Sequence, residues 1–439
     1  MFNKFLEFTQ EKSKYLYENS LFLKWIDNLI FLSIIAVFVL STFMSSDTIG
    51  FVALITAFLT IIKMLTKPNT KVSCKGFELW LLAYFMIVII SLCGSSLLYY
   101  SFKGFTKTIT YLMFYVSLVV YFKDNKNKIP FFLGLVGLCL GSQAIIGFFQ
   151  NFAQVDEIST WQDVSNLNPE EVMTRVYGTI QPYNPNLLGG YFVVGMPALF
   201  AMTALNFVDK HFKHAIFWLC TTILASITLF LTGCRGSYLA LFASFVLLFL
   251  ISAKYLWKTY KKIYLSFIGG CIGLVTMAIL FVSSLRARVF SIFAMRDDSS
   301  NSFRFNVYHS SLNMFKDNWL LGIGLGNQNF REIYGLYMRT GFDALSAYNI
   351  FLETAVESGI FALIAFVGFL VKLLVQAYKY IINSDNIKNV IYVSAAAISV
   401  VGIMVHGMVD TVFFRPQIQF IFWMMIAIAS VILNEKEEA

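Results

Sequence analysis

Residues 215–262 read AIFWLCTTILASITLFLTGCRGSYLALFASFVLLFLISAKYLWKTYKK, and their pattern decides the fold. Two apolar runs, 215–232 and 237–253, are each close to the roughly 20 residues that an α-helix needs to cross a bilayer. A tight turn, Thr232-Gly233-Cys234-Arg235-Gly236-Ser237, joins them. Lys210 and Lys213 precede the first run, and Lys254, Lys258, Lys261 and Lys262 follow the second. The stretch therefore reads as a membrane hairpin with lysines on one side of the bilayer and an arginine on the other.

The same pattern repeats in both directions. Further apolar runs lie at about 28–45, 49–66, 77–98, 105–122, 129–153, 187–206, 263–283, 350–371, 390–407 and 416–433, giving about twelve spans. Composition agrees: 58% of the 439 residues are hydrophobic, 13% are charged, and the mean hydropathy is +0.70, which excludes an ordinary soluble core. Lysines cluster at Lys4/Lys12/Lys14, Lys63/Lys67/Lys71/Lys75, Lys123/Lys126/Lys128 and Lys372/Lys379/Lys388. By the positive-inside rule these clusters are cytoplasmic, and so are both termini of a multi-pass protein of the cytoplasmic (inner) membrane. The net charge of +8 is thus a topology signal, and no nucleic-acid partner is expected. Seven prolines, 26 glycines and no repeat or low-complexity tract leave one polytopic membrane domain over residues 1–439.

Residues 1–19 are too polar for a secretory signal and are expected to form an interfacial amphipathic helix with Phe2, Phe5 and Leu6 toward lipid. Six scattered cysteines with no CxxC pair read as free thiols, with no metal site and no cofactor. Gly134, Gly137, Gly141 and the Gly189/Gly190 pair mark close helix packing. Two outer loops are long, 154–186 and 284–349, and loops of such length are usually functional. In the second, the Asp, Ser and Asn residues of Asp297-Asp298-Ser299-Ser300-Asn301 precede an apolar-periodic stretch and can cap a helix from about Ser302 to Phe315.

Sorting the basic residues by side gives the most informative pattern. All nine arginines, Arg175, Arg235, Arg286, Arg288, Arg296, Arg304, Arg331, Arg339 and Arg415, fall outside, whereas 21 of 24 lysines fall inside. Lysine is a flexible point charge suited to lipid headgroups, while guanidinium is a planar fork that grips phosphate oxygens in pairs. The outer face is therefore expected to bind a phosphorylated or pyrophosphorylated substrate. The plainer reading is that arginines pair with Asp156, Glu157, Glu170, Glu171, Asp297, Asp298, Glu332 or Asp343. Arg235 fits that reading least, because it has no acidic neighbour in sequence and lies at membrane depth, where charge is costly.

Other positions carry less. His309 is the only histidine in the outer loops and is a candidate base or a structural donor. Glu353 and Glu357 share a helix face at the start of the tenth span, where attraction to the helix N-terminus accounts for them, though either could accept a proton. Asp410 and Arg415 flank the last outer turn and are placed to pair. Gly322, Gly324 and Gly326 lack a Walker lysine and read as a turn or close packing.

Together these segments resemble the O-antigen ligase and polymerase superfamily. The resemblance runs over about residues 170–430. It rests on Arg175-Val176-Tyr177-Gly178-Thr179 with Asn184-Pro185-Asn186, on Cys234-Arg235-Gly236-Ser237, on Ser302-Phe303-Arg304, on Asp317 to Asn327 with Gly324, Gly326 and Asn327, and on Tyr348-Asn349 to Gly359. Asp410-Thr411-Val412-Phe413-Phe414-Arg415-Pro416-Gln417 looks closest to the branch of that superfamily described as bicarbonate transporters.

The resemblance implies an all-α integral membrane protein with a partly helical extracytoplasmic cap, similar to the C-type membrane glycosyltransferases. It implies a metal-independent, inverting transfer of a glycan from undecaprenyl pyrophosphate to an acceptor hydroxyl, in lipopolysaccharide or other envelope-polysaccharide biosynthesis. The partners would be a lipid-linked oligosaccharide donor, a glycan, lipid or protein acceptor, and membrane lipids. Arg175 and Arg235 would hold the pyrophosphate, with Arg304 and Arg415 assisting. Ligases of the family carry a histidine where this chain has Tyr348, a poor base at neutral pH with an ordinary pKa of about 10. The base is left open among Glu353, Glu357, His309 and Tyr348. A small-anion transporter and a non-catalytic assembly component are the alternatives.

Overall fold

A computed structural model describes residues 2–71, 74–153, 175–294 and 298–438. Among them there is no β-strand, and the helices are α1 (Phe2–Asn19), α2 (Leu21–Lys24), α3 (Ile26–Leu40), α4 (Ser46–Thr66), α5 (Phe77–Cys93), α6 (Leu98–Asp124), α7 (Ile129–Gln150), α8 (Pro185–Val208), α9 (Phe212–Leu231), α10 (Arg235–Phe281), α11 (Ser283–Phe290), α12 (Ser299–Asp317), α13 (Asn327–Tyr334), α14 (Ile350–Asn383), α15 (Ile387–Gly407) and α16 (Pro416–Glu438). Nine of these are long and apolar enough to cross a membrane, and α3 and α5 are shorter apolar helices. The chain is a multi-pass helical membrane protein.

The expected spans at 237–253 and 263–283 both lie in α10, which is interrupted by non-helical backbone at Tyr260. There the chain turns back on itself: the Tyr264 hydroxyl donates to the Phe249 carbonyl, and the Phe249 and Phe267 rings are 6.4 Å apart. In a straight helix those two residues would be separated by about 27 Å. With this fold-back, each of the twelve expected spans has its helix.

The centre is built from α8, α15 and α16, and every residue of the apolar stretch of α16 is buried. Glycines let the helices approach: a Cβ on Gly137 would lie 2.6 Å from the Trp218 ring, and one on Gly189 would lie 2.3 Å from Ser237 Oγ. At the lysine end, fully buried Lys63 pairs with Asp27 and Asp124, both at 2.8 Å, and Lys67 joins the same two carboxylates. This network ties α3, α4 and α6 together. The α1 helix also docks at that end, with Gln10 donating to Met64 O and Thr70 O. Leu6 faces the bundle against Met64 and Val120, contrary to the expectation that it faces lipid, while Phe5 is exposed. The side chain of Phe2 lies outside the described residues.

Two local departures shape the arginine end. The α5 helix stops at Cys93, short of the expected 98, because the segment after α12 fills the space above it: Ser91 Oγ donates to Leu321 O and Ser95 Oγ to Ile323 O. The α14 helix is broken at Gly359, where φ is +80°. The same segment is inserted in the break: Ile323 N and Gly324 N donate to Val356 O and Glu357 O, and Ile360 N donates to Trp319 O. A Cβ on Gly359 would lie 2.2 Å from Leu320 O, so only glycine fits.

Candidate functional site

The functional end is assembled from the turn of residues 232–235 outward. Gly233 has φ +63°, and a Cβ there would come within 3.1 Å of Arg175 Nε. The turn presents two free carbonyls. Arg175 Nε donates to Thr232 O at 2.8 Å, and Arg288 Nε donates to Gly233 O at 2.9 Å. Arg175 is delivered by an extended segment pinned to α7, where Gln150 Oε1 takes Gly178 N and Gln143 Oε1 takes Thr179 N. Arg288 comes from α11. Arg235 opens α10, so three guanidinium groups from three segments converge on one turn.

Arg235 is ion-paired, contrary to the expectation from sequence. Its Nη2 lies 2.9 Å from Asp298 Oδ1, and Nη1 donates to Ser291 O and Oγ. Asp298 also caps α12 by accepting from Asn301 N, which extends the expected cap helix to Ser299–Asp317. Burial would raise the Asp298 carboxyl, but the hydrogen bond and charge of Arg235 hold it below its ordinary value. Among the described residues Arg331 is the other arginine with an ion pair, to Asp343 at 2.6 Å. Arg175, Arg288, Arg304 and Arg415 have no carboxylate within ion-pair distance among those residues. Arg296, Asp297 and the acidic residues Asp156, Glu157, Glu170 and Glu171 lie outside the described residues.

This arrangement is electrostatically strained. Burial lowers the basicity of Arg175, and burial plus the charges of Arg175 and Arg235 pull Arg288 down to about 10. Crowded, desolvated cations with unused N–H donors have the chemistry to accept an oxyanion.

The trio lines a cavity of about 1410 Å³ that also contains Lys107, Asn184, Asn186, Asp298, Arg304, Asn327, Arg331, Asp343, Tyr348, Asp410 and Arg415. Its seven basic side chains outnumber its three acidic ones. Arg304 donates to Ser300 Oγ at 2.8 Å and stands 5.9 Å from the Tyr348 ring centroid, and its buried Nε has no partner. Arg415 is exposed. Asp410 does not pair with Arg415; it takes Asn186 Nδ2 at 2.8 Å and the backbone N–H of Thr411 and Val412.

The other candidate bases fall elsewhere. Glu353 and Glu357 are buried outside the cavity lining. Glu353 Oε2 takes Ala347 N at 3.0 Å and Glu357 Oε1 takes Gly326 N at 2.8 Å, so both are occupied in seating the loop that precedes α14. Asn349 caps α14 through Phe351 N and Leu352 N. Gly324 and Gly326 adopt positive φ and pack against Ser101 and Gly104. His309 is exposed and does not line the cavity. Tyr348 does line it, but burial, then the charge of Asp410, pushes its hydroxyl up to about 12, so it holds its proton at neutral pH.

The sequence reading missed Arg288 and His406. Arg288 was one of nine arginines with nothing local to distinguish it from Arg286. His406, buried in α15, stands 3.4 Å from Cys234 Sγ beneath the arginine turn.

Comparison with known proteins agrees with the resemblance. One curated relative is the teichuronic acid biosynthesis protein TuaE of Bacillus subtilis (strain 168), 22% identical over 322 residues. The match takes in 70% of this chain and spans about 61% of the length of that relative. The O-antigen ligase family model matches residues 220–367, the segment that carries Arg235, Arg288 and Arg304.

Proposed function

We propose that this protein acts in polysaccharide biosynthesis, transferring a glycan from an undecaprenyl-pyrophosphate carrier to an acceptor hydroxyl at the arginine-lined cavity, on the outer side of the cytoplasmic membrane. The observation that carries the reading is the trio of Arg175, Arg235 and Arg288 on one turn, with two of the three lacking a carboxylate partner among the described residues. The name of the relative and the family description support the broader part of this reading, a role in polysaccharide biosynthesis.

In this mechanism the acceptor oxygen attacks the anomeric carbon, and the bond from that carbon to the pyrophosphate oxygen breaks with inversion. The departing pyrophosphate takes up negative charge, which the fixed guanidinium donors stabilise without having to reorganise. The acceptor proton passes to solvent in the cavity as the new bond forms, on the face opposite the departing pyrophosphate, and neither Glu353 nor Glu357, which lie outside the cavity lining, need take it. Arg304, with its spare Nε, assists from α12.

The test is binding of an undecaprenyl-pyrophosphate-linked oligosaccharide to detergent-solubilised protein, together with transfer in membranes. Arg175→Ala and Arg235→Ala each lose binding, and Arg235→Lys, which keeps the charge but not the fork, loses most transfer. Unchanged transfer by Arg235→Lys would count against the mechanism. Absence of binding by folded wild-type protein would turn attention to flux assays in proteoliposomes.

A further inference from the structure

Arg235 and Arg175 are held in different ways. Arg235 meets a carboxylate directly, at 2.9 Å from Asp298. Arg175 meets one through an amide: Nη2 donates to Asn186 Oδ1 at 2.5 Å, and Asn186 Nδ2 donates to Asp410 Oδ2 at 2.8 Å. Asp410 is anchored by accepting from its neighbours' N–H groups, and Asn186 by donating its own backbone N–H to Asn184 Oδ1. Because a carboxylate only accepts, Nδ2 must face Asp410 and Oδ1 must face Arg175.

We infer that Asn186 and Asp410 are positioning residues that orient Arg175 for a phosphate while keeping a carboxylate off its guanidinium. The inference rests on the proposed function. At this site a side chain of this length must donate to Asp410 and accept from Arg175, which an amide does. An aspartate at 186 would touch Arg175 directly and quench the charge offered to the ligand. With Nε on Thr232 O and Nη2 on Asn186, the Nη1 edge of Arg175 is left for the phosphate. Asn186, Asp410, Arg175 and Arg235 all line the same cavity, so the relay ends where the ligand would sit.

The relay separates two effects that ordinary substitutions confound. In the double variant Asn186→Asp/Asp410→Asn, the amide and carboxylate trade places. Every hydrogen bond of the relay can still form: the amide at 410 accepts from Thr411 N and Val412 N and donates to the carboxylate at 186, which accepts from Arg175. The fold is kept, and an acidic side chain in the first turn of α8 suits the helix dipole. What changes is that the carboxylate now touches Arg175.

The experiment measures binding of undecaprenyl pyrophosphate to full-length protein in detergent, with melting temperature recorded alongside. The double variant is expected to melt at or above the wild-type temperature and to bind about 10- to 100-fold more weakly, the range for losing a charged hydrogen-bonding partner. Asp410→Asn alone, whose Oδ1 stays on Thr411 N and Val412 N and so turns a donor toward Asn186 Nδ2, and Asp410→Leu, which offers no acceptor, each lose about tenfold. Wild-type affinity in the folded double variant would overturn the inference, as would wild-type affinity in both Asp410→Asn and Asp410→Leu. Arg175→Ala discriminates the underlying reading: if it binds like wild type, the arginine site itself is wrong, whereas its loss with an intact double variant defeats the relay alone.

Discussion

Replacing Arg288 with methionine tests whether the arginine trio is a receptor built against the stability of the protein. In the folded chain the group is pulled from its ordinary value down to about 10 by burial and by Arg175 and Arg235. A base whose folded pKa is depressed destabilises the fold at every pH below the folded value, and the effect fades only as pH rises past about 10. One pKa unit is about 1.4 kcal/mol, so the shift corresponds to roughly 3 kcal/mol at most, and solvent at the cavity mouth reduces it to about 2. Against this stands the hydrogen bond to Gly233 O, about 1 kcal/mol. Arg288→Met is therefore expected to be as stable as wild type or up to about 1 kcal/mol more stable, between pH 6 and 9 alike. Saturating pyrophosphate should reverse the order. Wild type gains about 2.7 kcal/mol at a hundred times its Kd, and a variant that binds about 30-fold more weakly gains less than 1. The assay is thermal unfolding in detergent with and without inorganic pyrophosphate, followed by undecaprenyl pyrophosphate. A variant that is clearly less stable than wild type and still raised in melting temperature by pyrophosphate would refute the reasoning.

Four further outcomes follow from the geometry. Glu357→Gln keeps an oxygen for Gly326 N and should retain most transfer, whereas Glu357→Ala leaves that buried N–H unpaired and should lower stability by about 1–3 kcal/mol; loss of transfer in the glutamine variant with normal folding would restore Glu357 as a base. His309→Ala should transfer glycan at the wild-type rate in membranes, since the ring is exposed and off the cavity. Gly359→Ala drives a Cβ into Leu320 O and should reduce the yield of folded protein from detergent extracts severely, a result that normal gel-filtration behaviour would contradict. Lys63→Met leaves Asp27 and Asp124 with only Lys67 and should cost about 2–4 kcal/mol in unfolding experiments, most of it recovered on adding Asp124→Asn.

The spans were legible because hydrocarbon thickness imposes one length on every crossing helix, so even the fold-back at Tyr260 could be read as two spans. The site was legible where chemistry is local: the Gly233 turn, the Asn184-Pro185-Asn186 cap and the segregation of arginine from lysine all show in short windows of sequence. Partner choice was not. Asp298 lies 63 residues from Arg235, and nothing near either residue announces the pair. Arg286 and Arg288 are two positions apart on one helix, about 200° around its axis, so one points to Leu280 O at the surface and the other into the trio. Glu353 and Glu357 were correctly placed on one face, but whether that face met a substrate or a loop backbone depended on the break at Gly359, and a glycine within an apolar run does not reveal its φ.

That break carries a consequence for the order in which the protein is made. A membrane helix interrupted at mid-length exposes carbonyls and N–H groups that hydrocarbon cannot satisfy, at several kcal/mol each. Val356 O, Glu357 O and Ile360 N find their partners only in residues 319–324, which precede α14 in the chain, and Ser91 of α5 completes the seat. During insertion, α14 in its final broken form is therefore unfavourable until residues 319–324 have docked beside α5. The break and its seat form together, once α5, α14 and that segment have met.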